Sequence, residues 1–127
     1  MARILLLEDD ATFRDLVAAA LKRGGYDVTT ANDGQAGWDV LDKAQPNLIL
    51  LSLAMPRMDG LSFLRRLRAS EKWGSVPVLV VSANSAAASN AVTLGASGYL
   101  LKSRFSMPEL LETVQQWTVK KRGTSAA

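Results

Sequence analysis

Glu8, Asp9, Ser52, Ser82 and Lys102 each stand at or just past the end of a short apolar run, and together they could do chemistry. Two acids, hydroxyls and an amine suit the transfer of a phosphoryl group to a carboxylate. The acids would hold a divalent cation that neutralises phosphate oxygens, while the hydroxyls and the ammonium hydrogen-bond or pair with the other groups. The nucleophilic carboxylate is the missing part, because Ser52 is what ends the run Leu48-Ile49-Leu50-Leu51. A serine hydroxyl is not ionised near neutrality, and the chain has no histidine to act as its base. Phosphorylation of Ser52 by a different enzyme would give a stable ester instead of a labile acyl phosphate.

The elements that must bring these residues together alternate five times between strand and helix. Ile4 to Leu7 is an apolar run stopped by acids, and Phe13, Leu16, Val17, Ala20 and Leu21 follow at the offsets of one helical face, with Asp10 placed to cap it. Gly24-Gly25 ends that helix. Tyr26 to Ala31 reads as a second strand, Asn32-Asp33-Gly34 as a turn, and Gln35 to Lys43 as a helix with Ala36, Val40 and Leu41 inward. Leu48 to Leu51, apolar throughout, is expected to be a central parallel strand covered on both faces. Leu61, Leu64 and Leu67 stripe the third helix, Val76 to Val81 is the fourth strand, and Ala86 to Leu94 the fourth helix. Gly98 to Leu101 is the fifth strand, and Ser106-Met107-Pro108-Glu109 opens a last helix with the spacing of a capping box. Leu110, Leu111, Val114 and Trp117 supply its buried face. This alternation predicts an α/β fold, a parallel sheet with helices on both faces, and such sheets bind ligands beyond the carboxyl ends of their strands. Neighbouring strands lie about 4.8 Å apart, so side chains at adjacent ends converge.

Composition narrows the classes. The 127 residues, 48% of them hydrophobic, fit one domain with a substantial core. Without cysteine, disulfide scaffolds, thiolate zinc sites and cysteine nucleophiles are excluded; without histidine, so is a histidine phosphocarrier. No apolar stretch is long enough to span a bilayer, so no membrane partner and a cytoplasmic location are expected. The net charge of +3 and pI near 9.5 permit nucleic-acid contact without demanding it, and no direct nucleic-acid partner is expected. Residues 1–119 form the expected domain, and 120–127, opening on Lys120-Lys121-Arg122, read as a basic disordered tail. Trp73, beside Gly74-Ser75 in a loop, is a candidate contact residue.

From about residue 3 to 119 the chain resembles the receiver domain of two-component response regulators, through four segments in order. Leu7-Glu8-Asp9 resembles the family's acidic pair, and the segment from Ser52 through Met55-Pro56-Arg57-Met58-Asp59-Gly60 resembles its phosphorylation loop. Val80-Val81-Ser82-Ala83 and Gly95-Ala96-Ser97-Gly98-Tyr99-Leu100-Leu101-Lys102 complete the set. The resemblance implies a flavodoxin-like, doubly wound (βα)5 fold with strand order 2-1-3-4-5. It implies metal ligation by Glu8, Asp9 and the Ala54 carbonyl, a phosphoacceptor position at Ser52, and a switch and phosphate site at Ser82, Ala83, Tyr99 and Lys102. At two positions this chain departs from the family: Ser52 replaces the acceptor aspartate, and Ser103 replaces the proline that usually follows the lysine. A trans Lys102-Ser103 bond and a displaced lysine are therefore expected.

These departures imply a pseudo-receiver, a non-enzymatic signalling module acting by protein–protein contact without aspartyl phosphorylation. No cofactor is required, and any Mg2+ site is weakened. The expected partner is a protein, a histidine kinase or output protein among them, or a second copy, on the face of the fourth helix, fifth strand and fifth helix. Two alternatives are an acceptor-null form of a working phosphorelay regulator and, more remotely, a flavin-binding or enzymatic protein on the same fold. The acidic segment Glu8-Asp9-Asp10 opposes the last of these, since a phosphate cradle needs backbone donors and little negative charge.

Overall fold

In the computed structural model, which describes residues 2–126 with side chains through 118, strands and helices alternate along the whole chain. In order they are β1 (Arg3–Leu7), α1 (Ala11–Arg23), β2 (Asp27–Ala31), α2 (Gly34–Ala44) and β3 (Leu48–Leu51), then α3 (Gly60–Arg68), β4 (Val78–Ser82), α4 (Ser85–Thr93), β5 (Gly98–Leu101) and α5 (Met107–Ala126). All strand pairs are parallel, and the sheet order is β2-β1-β3-β4-β5. That is the flavodoxin-like arrangement expected. The expected tail, 120–127, lies outside the residues whose side chains are described.

Period-two alternation sends each strand's side chains into two cores. Leu5, Leu7, Ile49, Leu51, Val78 and Val80 pack with Leu41, Phe63, Leu64, Leu67, Ala88 and Ala91 from α2, α3 and α4. Ile4, Leu6, Leu48, Leu50 and Leu79 pack on the other face with Val17, Leu21, Leu110 and Val114 from α1 and α5. β3 is covered on both faces along its whole length, which is why every position in it is apolar.

Each helix start is specified locally. Asp10 accepts from the N–H groups of Thr12 and Phe13 at 3.0 and 3.2 Å, Asp33 from Ala36 at 2.8 Å, Asp59 from Ser62 at 2.8 Å and Asn84 from Ala87 at 3.0 Å. A side-chain cap of this kind is worth about 1 kcal/mol. Ser106 Oγ accepts from the Glu109 N–H at 3.3 Å, as the capping-box spacing predicts. In each βα unit the cap holds the loop that carries the site residues against its helix.

Three local expectations are corrected. Leu16 is 57% exposed, because the buried stripe of α1 runs through Val17, Ala18, Ala20 and Leu21 and leaves Leu16 on its outer edge. β4 starts at Val78, since Pro77 has no N–H to enter the ladder, though its carbonyl accepts from Ile49 at 3.0 Å. On α3 the deeply buried residues are Phe63, Leu64 and Leu67, with Leu61 only partly covered. Among the described residues, no helix is long and apolar enough to cross a membrane.

Candidate functional site

The carboxyl ends of β1, β3, β4 and β5 open into a cleft of about 470 Å³ that Glu8, Asp9, Ser52, Ala54, Ser82, Ala83 and Lys102 all line. Ladder hydrogen bonds continue one residue past the strands. Glu8 N–H donates to the Ala31 carbonyl at 3.0 Å, Ser52 N–H to Leu7 at 3.0 Å and Lys102 N–H to Ser82 at 2.9 Å. The backbone of the site is thus fixed by the sheet, leaving only side-chain torsions free.

Glu8 is 1% exposed and carries the cleft's one deeply buried carboxylate. Its Oε2 accepts from the Asp10 N–H at 3.1 Å, and its Oε1 lies 2.7 Å from the Lys102 ammonium. That approach is close but misaligned, so Oε1 makes no well-directed hydrogen bond and the contact is chiefly Coulombic. The ammonium also sits 4.7 Å from the centroid of the Phe13 ring, whose neighbour Phe105 packs edge-on at 6.3 Å. Arg14 Nη1 donates to the Glu8 carbonyl at 2.9 Å, adding a second cation beside the strand end. Asp9 is exposed at the rim, while Asp10 is occupied as the cap of α1.

Ser52 is 5% exposed, and among the described residues its hydroxyl has no hydrogen-bonding partner. The Ser82 hydroxyl is engaged within its own loop, accepting from the Asn84 N–H at 3.0 Å and donating to the Asn84 carbonyl at 3.2 Å. Tyr99 does not reach the cleft: it lies on β5 and is 43% exposed. Lys102-Ser103 is trans, as the missing proline predicts.

The loop between β3 and α3 is fastened at both ends. Gly60 N–H donates to the Leu53 carbonyl at 2.9 Å, and a Cβ on Gly60 would collide with the Ser52 carbonyl. Farther along, Arg57 adopts a left-handed φ of 61°, a conformation that costs a non-glycine residue about 1 kcal/mol. Its guanidinium grips Asp33 with two bonds, Nε to Oδ2 at 2.7 Å and Nη2 to Oδ1 at 3.0 Å. The Gly34 N–H donates to the Met58 carbonyl at 2.9 Å beside them. The Arg57 hydrogen bonds, with help from the Ala36 N–H, hold the Asp33 carboxyl below the usual carboxylate range, and Asp33 raises Arg57 in return.

Neither this clamp nor the Phe13 and Arg14 contacts were expected from the sequence. The clamp joins residues 24 apart, and Phe13 and Arg14 carry no signal beyond their places on an amphipathic helix. Trp73 is half-buried against the core, with its Nε1 donating to Asp42 at 3.1 Å. Arg68 points inward to the carbonyls of Gly74, Val76 and Gly95, and burial lowers its pKa.

The implied metal site does not fit the residues present. Among the described residues no group of three or more carboxylates could hold a metal ion. With Lys102 against Glu8, the remaining donors are the Asp9 carboxylate, the Ser52 hydroxyl and the Ala54 carbonyl.

Comparison with known proteins bears on the whole chain. The family model described as "Response regulator receiver domain" matches residues 4–115. The chain is 38% identical over 117 residues to the DNA-binding dual master transcriptional regulator RpaA of Synechocystis sp., covering 91% of this chain and 48% of that protein. It is 36% identical over 111 residues to the transcriptional regulatory protein TrcR of Mycobacterium tuberculosis, covering 86% and 42%. The receiver domain of the Francisella response regulator 1452 superposes with a TM-score of 0.85 at 25% identity, covering 95% and 99%. Chemotaxis response regulator CheY4 of Vibrio cholerae gives 0.84 at 29%, covering 92% and 98%.

The chain spans about half the length of the curated relatives it matches. These relatives correct the partner expectation, which set a protein or a second copy on the α4-β5-α5 face and left nucleic acid out. RpaA is named as DNA-binding and TrcR as a transcriptional regulator. A ligand bound by the other half of a longer protein leaves no mark on the charge of this half, which is why composition misled. Fold, family model and relatives agree across nearly all of its length: this chain belongs to the response regulator receiver domain family, whose members are signalling proteins and not enzymes.

Proposed function

We propose that this chain is a receiver domain that signals without aspartyl phosphorylation, working as one part of a longer transcriptional regulator. The observation that carries the reading is the group at the end of β3: a 5% exposed hydroxyl, Ser52, in the acceptor's place. An acyl phosphate requires a carboxylate nucleophile. The Ser52 hydroxyl has no histidine in the chain to take its proton, and the buried carboxylate, Glu8, is held by Lys102. The relatives that match across this half of their length, RpaA and TrcR, are transcriptional regulators, which supports the same setting here.

Incubation with a small phosphodonor or a phosphorylated histidine kinase tests the reading. No acid-labile, hydroxylamine-sensitive label is expected on the chain. A label that mapped to a carboxylate such as Asp9 would overturn the proposal.

A further inference from the structure

Strands β1 and β5 are separated in the sheet by β3 and β4, so about 14 Å, three interstrand spacings, lies between their backbones. Glu8 and Lys102 nevertheless meet at 2.7 Å. Their two long side chains lean toward each other across the ends of β3 and β4, where the residues are Ser52 and Ser82. Both are short, and neither carries a charge. A carboxylate on β3 would stand between the partners and compete for the ammonium; the Ser52 hydroxyl does not.

We propose that the Lys102 ammonium is the resident cation of this pocket, serving in place of a divalent ion, so that the chain neither needs nor holds Mg2+. Glu8 supplies the counter-charge and is nearly sealed from water, and the Phe13 face receives the ammonium from a second side. The other charged groups nearby leave little for a metal. Arg14 is bound to the Glu8 backbone carbonyl, Asp10 caps α1, and Asp9 alone remains as an uncommitted carboxylate at the rim. A hydrated Mg2+ dehydrates reluctantly and relies on one or two carboxylates plus water. To gain Glu8 here it would have to displace a cation already in contact. The inference rests on Ser52 occupying the acceptor's place, but its readout is metal binding and does not involve phosphorylation.

The test uses Mn2+ as a paramagnetic probe with the full chain, followed by broadening of amide NMR signals. Wild type should show no selective broadening at Glu8, Asp9 and Ser52 in micromolar Mn2+. Lys102→Met should bind Mn2+ on the order of tenfold more tightly or better, because an adjacent positive charge is gone and Glu8 is released. Ser52→Asp should move in the same direction by adding a carboxylate and drawing Lys102 away from Glu8. Equal broadening in wild type and Lys102→Met would overturn the proposal. A second measurement needs no variant: the Lys102 Nζ resonance of wild type should stay in place as Mg2+ is raised into the millimolar range. A saturable shift of that resonance would also overturn it. Phosphoryl labelling of the wild-type chain would refute the proposed function by a separate readout.

Discussion

Removing the ammonium at residue 102 should destabilise the fold through the charge it leaves behind. In Lys102→Met, Glu8 keeps one hydrogen bond, from the Asp10 N–H at 3.1 Å, and is otherwise a carboxylate 1% exposed. Breaking a buried pair from one side costs roughly 3–5 kcal/mol. The Lys102 side chain is 26% exposed and the cleft is open, so water can relieve part of the strain, which places the loss near the low end, about 3 kcal/mol. Removing both charges, with Glu8→Gln and Lys102→Met together, leaves no orphan and should cost about 1 kcal/mol or less. Urea unfolding followed by circular dichroism reads both variants, with an unchanged slope showing that stability alone has moved. In thermal melts the single variant should fall by about 10 °C. A single variant within about 0.5 kcal/mol of wild type, or a double variant no better than the single, would refute the claim that this is a buried, mutually dependent pair.

Other expectations follow from the same geometry. Arg57→Ala should weaken the acid branch of the stability profile. Asp33 has a folded-state pKa below its unfolded value, so its contribution is present above about pH 3.9 and is lost as pH falls through the lower folded value. Urea midpoints at neutral pH and below pH 3 should therefore differ less in Arg57→Ala than in wild type. Phe63→Ala, at a fully buried position that packs edge-on against Trp38 at 6.2 Å, should cost about 3–5 kcal/mol in the same urea assay. Gly60→Ala should cost about 2 kcal/mol or more, since its Cβ meets the Ser52 carbonyl and the Leu53 Cα, both backbone atoms that cannot turn aside. Faster amide exchange at Ser52 and Leu53 would locate that strain in the β3–α3 loop.

Most of the fold was legible because its signals are local. Leu48 to Leu51 announces a strand buried on both faces by being apolar throughout, and Asp10, Asp33 and Ser106 announce helix starts by their distance from the first apolar turn. Leu16 misled for an equally local reason: its offset from Phe13 and Ala20 fits a helical face, but the stripe that docks is centred on Val17 and Leu21. The meeting of Glu8, Ser52, Ser82 and Lys102 was legible from the rule that parallel strands gather their carboxyl ends. What each side chain does there was not. That Lys102 chooses Glu8, that Ser82 bonds Asn84, and that Arg57 grips Asp33 depend on which groups lie within reach after folding. Outward placement of Tyr99 is of the same kind, since a tyrosine on an edge strand can satisfy its hydroxyl in either direction.

The central claim, that the pocket cannot carry an aspartyl phosphate, is tested most directly with beryllium trifluoride, which bonds a carboxylate oxygen much as a phosphoryl group does. Titrating it with Mg2+ against the wild-type chain while following the amide signals of Ser52, Leu53, Ser82 and Lys102 gives the answer in one experiment. No saturable shift is predicted at any of the four. A saturable, site-specific shift at Ser52 and Lys102 would contradict the account.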